Sequence, residues 1–398
     1  MSYETYRVAD LIDEIAMGPF GSNIKVSCFV DSGVPVLNGS NLEGFSLSEK
    51  AFRFVTKEKA DSLNKANAHR GDIVITHRGT LGQIAFIPQD SRYDRYVISQ
   101  SQFRVRCNDK VLPEYLVYYF HTPIGQHKLL SNASQVGVPA LARPSSTFQQ
   151  IEVVLPELSI QKRVVEIIST IQKKIANNQE LNDNLLEQMQ AIYKSWFVDY
   201  LPFGGAMPES WTKTGIYSLA NIIYGAPFAS KQFNTEGNGK PIIRIRDLKD
   251  QQFATYTTEV HPKGYLLRPG DIVVGMDGEF RPYIWGNDEA WLNQRVCVFE
   301  NKRPKGKAFL YFTIKPLLYA IEQTQVATTV IHIGKKDYDA FEIMLPDAAT
   351  LDSFDSLTAP MIMRIVSNSF ENKRLAVMRD ALLPKLMSGE IDVSAVQL

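Results

Sequence analysis

The chain repeats itself along its 398 residues, and this duplication constrains its fold more than any other feature. Four segments occur twice in the same order: 18–22 and 225–230, 70–75 and 269–274, 99–105 and 293–299, and 151–156 and 341–346. The most similar pair shares Gly-Asp-Ile-Val, and the last pair shares an apolar run that ends in Leu-Pro. The order of these similarities predicts two copies of one module, each followed by a helix.

Within a module the residue pattern is mixed. Short β-branched runs bounded by Gly, Pro and Asp, such as 73–75 and 84–87, predict strands. Segments 114–127 and 307–321 carry aromatic and aliphatic residues three to four apart, which predicts helices. We therefore expect an α+β module in which several short strands form a compact sheet.

Each module is followed by a segment with one apolar stripe. The stripe residues fall three to four positions apart in most steps: Val164, Ile168, Ile171, Ile175, Leu181, Leu185, Met189, Ile192 and Trp196, then Leu351, Phe354, Leu357, Met361, Ile365, Leu375, Met378, Leu382 and Leu386. This spacing predicts two long helices, the first of about 38 residues. A long helix with one apolar stripe needs a partner. The simplest prediction is an antiparallel coiled coil of the two helices; the alternative is that each helix packs on its own module.

These patterns give four predicted segments. They are a first module at 1–156, a long helix at 157–200, a second module at 201–346 and a second long helix at 347–398. The chain holds 43 basic and 43 acidic residues, which counts against a histone-like binder of polyanions. Any binding to DNA must then depend on local basic faces and on contacts to bases.

The sequence offers little for catalysis. It contains no phosphate-binding glycine loop, no Asn/Asp-Pro-Pro-aromatic box and no metal-binding motif, and its six histidines are dispersed. Asp72 and Asp271 could serve as acid or base groups, but turn carboxylates that cap backbone amides are the simpler interpretation. We expect no cofactor and no metal in this chain. Three scattered cysteines and the lack of an apolar span or secretion signal favour a cytoplasmic protein.

Two motifs carry a resemblance to a known family. The stretch at 70–82, Arg-Gly-Asp-Ile-Val-Ile-Thr-His-Arg-Gly-Thr-Leu-Gly, and the C-terminal string at 379–391 resemble specificity subunits of Type I restriction–modification systems. The duplicated layout extends this resemblance over essentially the whole chain. One difference separates the modules: 276–280 reads Met-Asp-Gly-Glu-Phe where 77–81 reads His-Arg-Gly-Thr-Leu, so the two DNA half-sites are expected to differ.

The resemblance implies a function without catalysis. Each module would be a target-recognition domain that reads one half of a bipartite, asymmetric site on double-stranded DNA. The helices would fix the separation of the half-sites and bind adenine methyltransferase subunits, two of them in our expectation. The methyltransferase would use S-adenosylmethionine, and restriction or translocase subunits could join the complex.

Arg, Gln, Asn and Lys read base edges in the major groove, and Arg, Lys and hydroxyl side chains hold phosphates. The predicted DNA-binding residues of the first module are Arg78, Thr80, Gln83, Gln102, Arg104, Ser134, Gln135 and Arg143. Those of the second module are Arg244, Arg246, Arg281, Asn293, Gln294, Arg295, Lys335 and Lys336. Arg244 and Arg246 are two apart, which places them on one face if they lie in a strand.

Two other classes of function remain open on sequence alone. A self-sufficient DNA methyltransferase or nuclease would bind S-adenosylmethionine or cut DNA without a partner. A structural scaffold would use its helices and modules to bind proteins only, and a gel shift with random duplex separates it from a DNA reader.

Overall fold

A computed structural model of the chain describes residues 3–134, 137–324 and 332–393. The chain divides into two compact units. The first unit is Met1–Gln172 with Val377–Leu398, and the second is Lys173–Ala376. Each unit therefore contains one sequence repeat and part of both long helices. Among the described residues, no helix is long and apolar enough to cross a membrane.

The first unit contains short strands and short helices. Its strands are β1 (Tyr3–Arg7), β2 (Ile12–Met17), β3 (Phe29–Val30), β4 (Val34–Val36), β5 (Arg53–Val55), β6 (Asn67–His69), β7 (Ile73–Thr76), β8 (Ile84–Phe86), β9 (Arg95–Val97), β10 (Gln102–Cys107), β11 (Ala133–Ser134), β12 (Ala140–Leu141) and β13 (Glu152–Pro156). Its helices are α1 (Lys57–Ser62), α2 (Pro113–His121), α3 (Pro123–Leu130) and α4 (Pro144–Gln149). The long helix α5 (Leu158–Phe197) begins here and ends in the second unit.

The second unit repeats this composition. Its strands are β14 (Thr212–Gly215), β15 (Ala220–Tyr224), β16 (Phe233–Asn234), β17 (Lys240–Ile243), β18 (Tyr256–Thr257), β19 (Leu266–Leu267), β20 (Ile272–Gly275), β21 (Pro282–Ile284), β22 (Ala290–Leu292), β23 (Val296–Asn301) and β24 (Glu342–Leu345). Its helices are α6 (Lys307–Thr324) and α7 (Lys335–Asp339). The long helix α8 (Ala348–Ser388) begins here and ends in the first unit.

The two modules share one strand order. Their four-stranded sheets run β2-β10-β7-β8 and β15-β23-β20-β21, and their five-stranded sheets run β3-β5-β4-β9-β6 and β16-β18-β17-β22-β19. Even the parallel pair recurs, as β4 with β9 and as β17 with β22. The prediction of two copies of one α+β module is confirmed.

The Gly-Asp-Ile-Val segment forms the same turn and central strand in both modules. An Asp72 carboxylate oxygen accepts the His69 backbone N–H at 3.0 Å, and one of Asp271 accepts that of Arg268 at 2.8 Å. The strands that follow, β7 and β20, are central in their sheets and buried throughout, because their alternate residues pack into different apolar clusters on the two faces. The interpretation of both aspartates as turn carboxylates is confirmed.

The long helices pair antiparallel, and they also pack on the modules. In the first unit, Val164 and Ile168 near the start of α5 share a core with Leu383 and Leu386 near the end of α8. In the second unit, the ring of Phe197 near the end of α5 contacts that of Phe354 near the start of α8, at 4.9 Å between centroids. Both units thus combine the predicted helix pairing with the alternative of packing on the module.

Buried amides interrupt the apolar stripe within the second unit. The Asn178 side chain donates to Asn372 Oδ1 at 2.9 Å, and that of Asn368 donates to Asn182 Oδ1 at 2.8 Å. Asn178 and Asn368 are almost fully buried. Asn178 and Asn182 lie as far after Pro156 as Asn368 and Asn372 lie after Pro346, so the two hydrogen bonds relate repeated positions crosswise. We call these four residues the asparagine quartet.

Candidate nucleic-acid interface

In the first unit, an antiparallel bridge made of two backbone hydrogen bonds joins the β7–β8 loop to the β11–β12 hairpin. Arg78 forms an antiparallel bridge with Ala140. The Gly79 N–H donates to Pro139 O at 2.9 Å, and the Leu141 N–H donates to His77 O at 2.9 Å. The hairpin therefore lies beside the glycine-rich loop that the sequence singled out.

Two further loops complete this surface. The His77 N–H donates to Ser101 O at 2.8 Å, and the Gly18 N–H donates to Gln102 O at 2.8 Å. A Cβ on Gly18 would lie 1.9 Å from Ser99 O, so only glycine allows this approach of two backbones. We name residues 18–22, 77–83, 99–101, 133–134 and 137–141 the first loop cluster; residues 135 and 136 lie outside the described part.

The first loop cluster collects four of the predicted DNA-binding residues. Arg78, Thr80 and Ser134 are exposed, whereas Gln83 is half-buried and its Oε1 accepts the Thr76 hydroxyl at 3.2 Å. Arg143 is exposed just beyond the hairpin, with a left-handed φ of 44°. The predicted contact at Gln135 lies outside the described residues.

Two predictions in the first module need correction. Gln102 and Arg104 are 1% and 4% exposed. The Gln102 side chain accepts the Ser99 N–H at 2.9 Å, and the Arg104 guanidinium binds Glu14 at 2.6 Å and Lys65 O at 2.9 Å. Both side chains point into the protein from β10, so we remove them from the candidate interface.

Gln100 was missed by the sequence prediction. Its side chain is exposed within the first loop cluster, and its backbone carbonyl lies 3.2 Å from His77 Nε2. Burial lowers the pKa of His77, so this imidazole tends to be neutral. The repeat carried the missing signal, because Gln100 occupies the position of Gln294, which was predicted.

The second unit builds the same surface from equivalent bonds. The Met276 N–H donates to Arg295 O at 2.9 Å, and the Ile333 N–H donates to Met276 O at 2.9 Å. The Gly225 N–H donates to Val296 O at 3.0 Å, as Gly18 does to Gln102. We name residues 225–230, 276–281, 293–295 and 332–334 the second loop cluster.

Asp277 sets the charge of the second loop cluster. Its carboxylate pairs with the Arg295 guanidinium and accepts a hydrogen bond from His332 Nδ1 at 2.6 Å. Burial acts to raise the pKa of Asp277, but the bonds from His332 and Arg295 outweigh burial and hold this pKa below its usual value. The equivalent position in the first loop cluster is Arg78, so an exposed cation in one cluster corresponds to a half-buried, ion-paired carboxylate in the other.

The other predicted residues of the second module differ in access. Gln294 and Arg295 are exposed, but Asn293 is only 8% exposed, and its N–H donates to Ile243 O. Asn293 is therefore also removed from the candidate interface. Arg281 forms a two-pronged ion pair with Glu322, which leaves it partly exposed.

The remaining predicted cations lie in two places. Lys335 and Lys336 are exposed at the start of α7, where Lys335 pairs with Asp339 at 2.8 Å. Arg244 and Arg246 do not lie on one face of a strand, because β17 ends at Ile243 and the chain turns there. Their guanidinium groups both approach the buried Asp247, Arg244 at 3.5 Å and Arg246 at 3.8 Å, and only Arg246 is exposed.

Each loop cluster thus offers exposed donors and acceptors on loops that are bonded to one another. Exposed Arg and Gln side chains on such loops can form paired hydrogen bonds with base edges. Within the described ranges, no group of three or more His, Cys, Asp or Glu side chains could hold a metal ion.

In comparisons with known proteins, the same family model matches both modules. The family model for the Type I restriction modification DNA specificity domain matches residues 3–187 and 208–361. The chain is 22% identical to the specificity subunit of the Type I restriction enzyme MjaIX of Methanocaldococcus jannaschii, over 96% of this chain and 92% of that protein. It is 38% identical to the EcoBI specificity subunit of Escherichia coli, over only 35% of this chain and 30% of that protein.

A solved structure has the same fold over its whole length. The S subunit of the Type I restriction-modification system of M. genitalium matches with a TM-score of 0.57 at 14% identity, over 97% of this chain and 96% of that one. The family model covers well over half of the chain and both of its modules. The resemblance read from the motifs is confirmed: the chain belongs to the family of Type I restriction modification DNA specificity domains.

Proposed function

We propose that the chain is the non-catalytic subunit that reads a bipartite, asymmetric DNA site for a Type I restriction–modification complex. The observation that carries this proposal is the repeated strand order with different side chains in its two loop clusters. One scaffold presenting two different loop surfaces suits the reading of two unlike half-sites.

The two half-sites would differ where the clusters differ in charge. Arg78 in the first cluster can pair with guanine O6 and N7, whereas a carboxylate such as Asp277 accepts from the amino group of cytosine. Gln294 of the second cluster corresponds to Gln100 of the first, whereas Arg295 supplies a guanidinium where the first cluster has the single hydroxyl of Ser101.

The proposed partners are two adenine methyltransferase subunits, which would bring S-adenosylmethionine and act in the cytoplasm where the DNA lies. Two related helical segments provide two similar binding surfaces. This supports a ratio of two methyltransferase subunits to one copy of this chain. Restriction or translocase subunits would join the same complex.

Co-purification tests this assignment. We expect the chain to bind two methyltransferase subunits at saturation, as measured by light scattering, and to transfer no methyl groups by itself. A mass that corresponds to one methyltransferase per chain would contradict the two surfaces. Methyl transfer by the isolated chain would contradict the non-catalytic role.

A second experiment tests whether the helices set the gap between half-sites. Four residues inserted after Asn178 and four after Asn368 add about 6 Å to each helix and turn its stripe by only about 40°. At about 3.4 Å per base pair, we expect the same half-sites to be read with roughly two more base pairs between them. Methylation mapping over a library of DNA sites with different gap lengths measures this. An unchanged preferred gap length in an active complex would show that the helices do not set the gap.

A further inference from the structure

A polar groove adjoins the first loop cluster. It has a volume of about 730 Å³ and is lined mainly by polar side chains: His127, Lys128, Ser131, Asn132, Arg143, Ser146, Thr147, Gln150 and Glu152. The groove lies at the foot of the β11–β12 hairpin, because the Ala142 N–H donates to Asn132 O at 3.1 Å and so extends the hairpin ladder.

We propose that this groove binds the phosphate backbone of the DNA whose bases the first loop cluster reads. The proposal rests on the function proposed above and adds a site to it. Contacts to phosphates position a protein on the duplex, and contacts to bases specify the sequence. A backbone site beside the hairpin would hold the cluster in register with its half-site.

The cations of the groove are placed for this task. The Lys128 ammonium is anchored by a 2.6 Å bond to Glu152 O and lies 5.7 Å from the centre of the Tyr119 ring, which leaves further N–H donors for a ligand. Arg143 is exposed on a left-handed backbone that directs the chain from the hairpin into α4. Such strain is costly in a non-glycine residue and tends to occur at functional positions.

The neutral side chains and the charge balance agree with a phosphate ligand. Ser146 is exposed and offers a hydroxyl, and Asn132 offers an amide, both groups that commonly bind phosphate oxygens. Glu152 is the carboxylate among the lining residues, against the two cations Lys128 and Arg143, so the lining carries a net positive charge without any contribution from His127.

The test compares two double variants of the full chain in complex with its methyltransferase. K128Q/R143Q removes the two cations of the groove, and K50Q/K57Q removes two exposed cations that lie elsewhere in the first unit. Fluorescence anisotropy measures binding to a duplex carrying the site mapped by methylation and to an unrelated duplex, over a range of salt concentrations.

We expect K128Q/R143Q to weaken binding to both duplexes alike, roughly tenfold, and to reduce the slope of log K against log salt by about 2. K50Q/K57Q should change neither, and K128R/R143K, which keeps both charges, should restore most of the affinity. Unfolding temperatures that match the wild type show that the variants fold.

Other outcomes are decisive in different ways. An unchanged affinity and salt slope in K128Q/R143Q would overturn the groove as a backbone site. A loss confined to the mapped duplex would also overturn it, because the groove would then read bases. If the wild-type complex fails to prefer the mapped duplex, the proposed function fails, whatever the groove does.

Discussion

The two modules share a backbone but differ in what they bury beneath it. In the first module, β10 places Arg104 opposite Val74; in the second, β23 places Val298 opposite Val273, the same position of the repeat. Arg104 lies buried between Asp72 and Glu14, whereas Val298 belongs to an apolar core with Val296. One strand register thus supports an ionic interior in one copy and an apolar interior in the other.

The two turn aspartates, Asp72 and Asp271, have different charge partners in the ionic and the apolar interior. Asp72 is met by two guanidinium groups, those of Arg104 and Arg106. Burial raises the pKa of Asp271. Hydrogen bonds from the Arg268 N–H and the Tyr265 hydroxyl lower this pKa, but they offset the effect of burial only in part. The backbone hydrogen bond of the turn is therefore the shared requirement, and the charge partner is free to change between copies.

The largest expected effect follows from removing the buried arginine. Arg104→Ala removes the buried guanidinium and leaves Asp72 and Glu14 with only the partly exposed Arg106 as a shared partner, so we expect the first unit to lose about 3 kcal/mol of unfolding free energy. Val298→Ala at the same register only removes apolar volume, at a cost of about 2 kcal/mol in the second unit. Hydrogen exchange followed peptide by peptide measures each unit, and equal losses would erase the distinction between the two interiors.

Tryptophan fluorescence adds an independent check. Trp196, Trp211, Trp285 and Trp291 are the four tryptophans of the chain, and all belong to the second unit. A change in their unfolding transition would therefore be expected with Val298→Ala and not as a direct effect of Arg104→Ala.

An intermediate effect is expected at the position where the loop clusters differ in charge. Arg78→Ala should reduce base discrimination in one half-site by about 1–3 kcal/mol if it forms a paired contact. Asp277→Asn should free Arg295 and His332, and thus raise affinity for unrelated duplexes while weakening discrimination in the other half-site. Methylation of half-site libraries measures both, and a uniform loss with Arg78→Ala would indicate that it holds phosphate.

The smallest effect concerns pH. A hydrogen bond from Arg104 lowers the pKa of Glu14 below its ordinary value of 4.5, so ionised Glu14 stabilises the first unit above that pH. This contribution is lost as the pH falls through the lowered pKa. Glu14→Gln should therefore cost about 1 kcal/mol or less at pH 7 and nothing at strongly acidic pH.

The counterpart in the second module offers a matched control. Asn221 holds the position of Glu14 and donates to Glu300 at 3.1 Å. Because Asn221→Gln keeps an uncharged amide donor for Glu300, it should show no such pH-dependent difference in thermal unfolding. A constant loss with Glu14→Gln across the whole pH range would show that charge plays no part.

The sequence predicted the elements better than the directions of individual side chains. The repeat and the apolar stripe were enough for two α+β modules and paired helices. Gln102 and Arg104 were misplaced because polar residues after a polar cluster look exposed, although the matching Val296 and Val298 already indicated an inward face. Arg244 and Arg246 were misplaced because nothing local showed that the strand ends at Ile243.

Hydrogen bonds between distant segments were beyond reach of the sequence. The bridge between Arg78 and Ala140 and the pairing of Asp277 with Arg295 depend on how the loops pack together. The asparagine quartet was likewise invisible in the stripe pattern, which describes only apolar positions. Such features follow from tertiary contacts that residue spacing does not encode.

The asparagine quartet constrains how the length of the paired helices can change during evolution. An insertion between Asn178 and Asn182 alone shifts one amide away from its mate, and an unpaired buried amide costs about 1–3 kcal/mol. An equal insertion between Asn368 and Asn372 restores both bonds, since each pair moves together. A longer helix pair is therefore expected to persist in a lineage only when both helices gain equal insertions, at sites 190 residues apart in one gene. Under the proposed function, the gap between the DNA half-sites would then change in discrete steps.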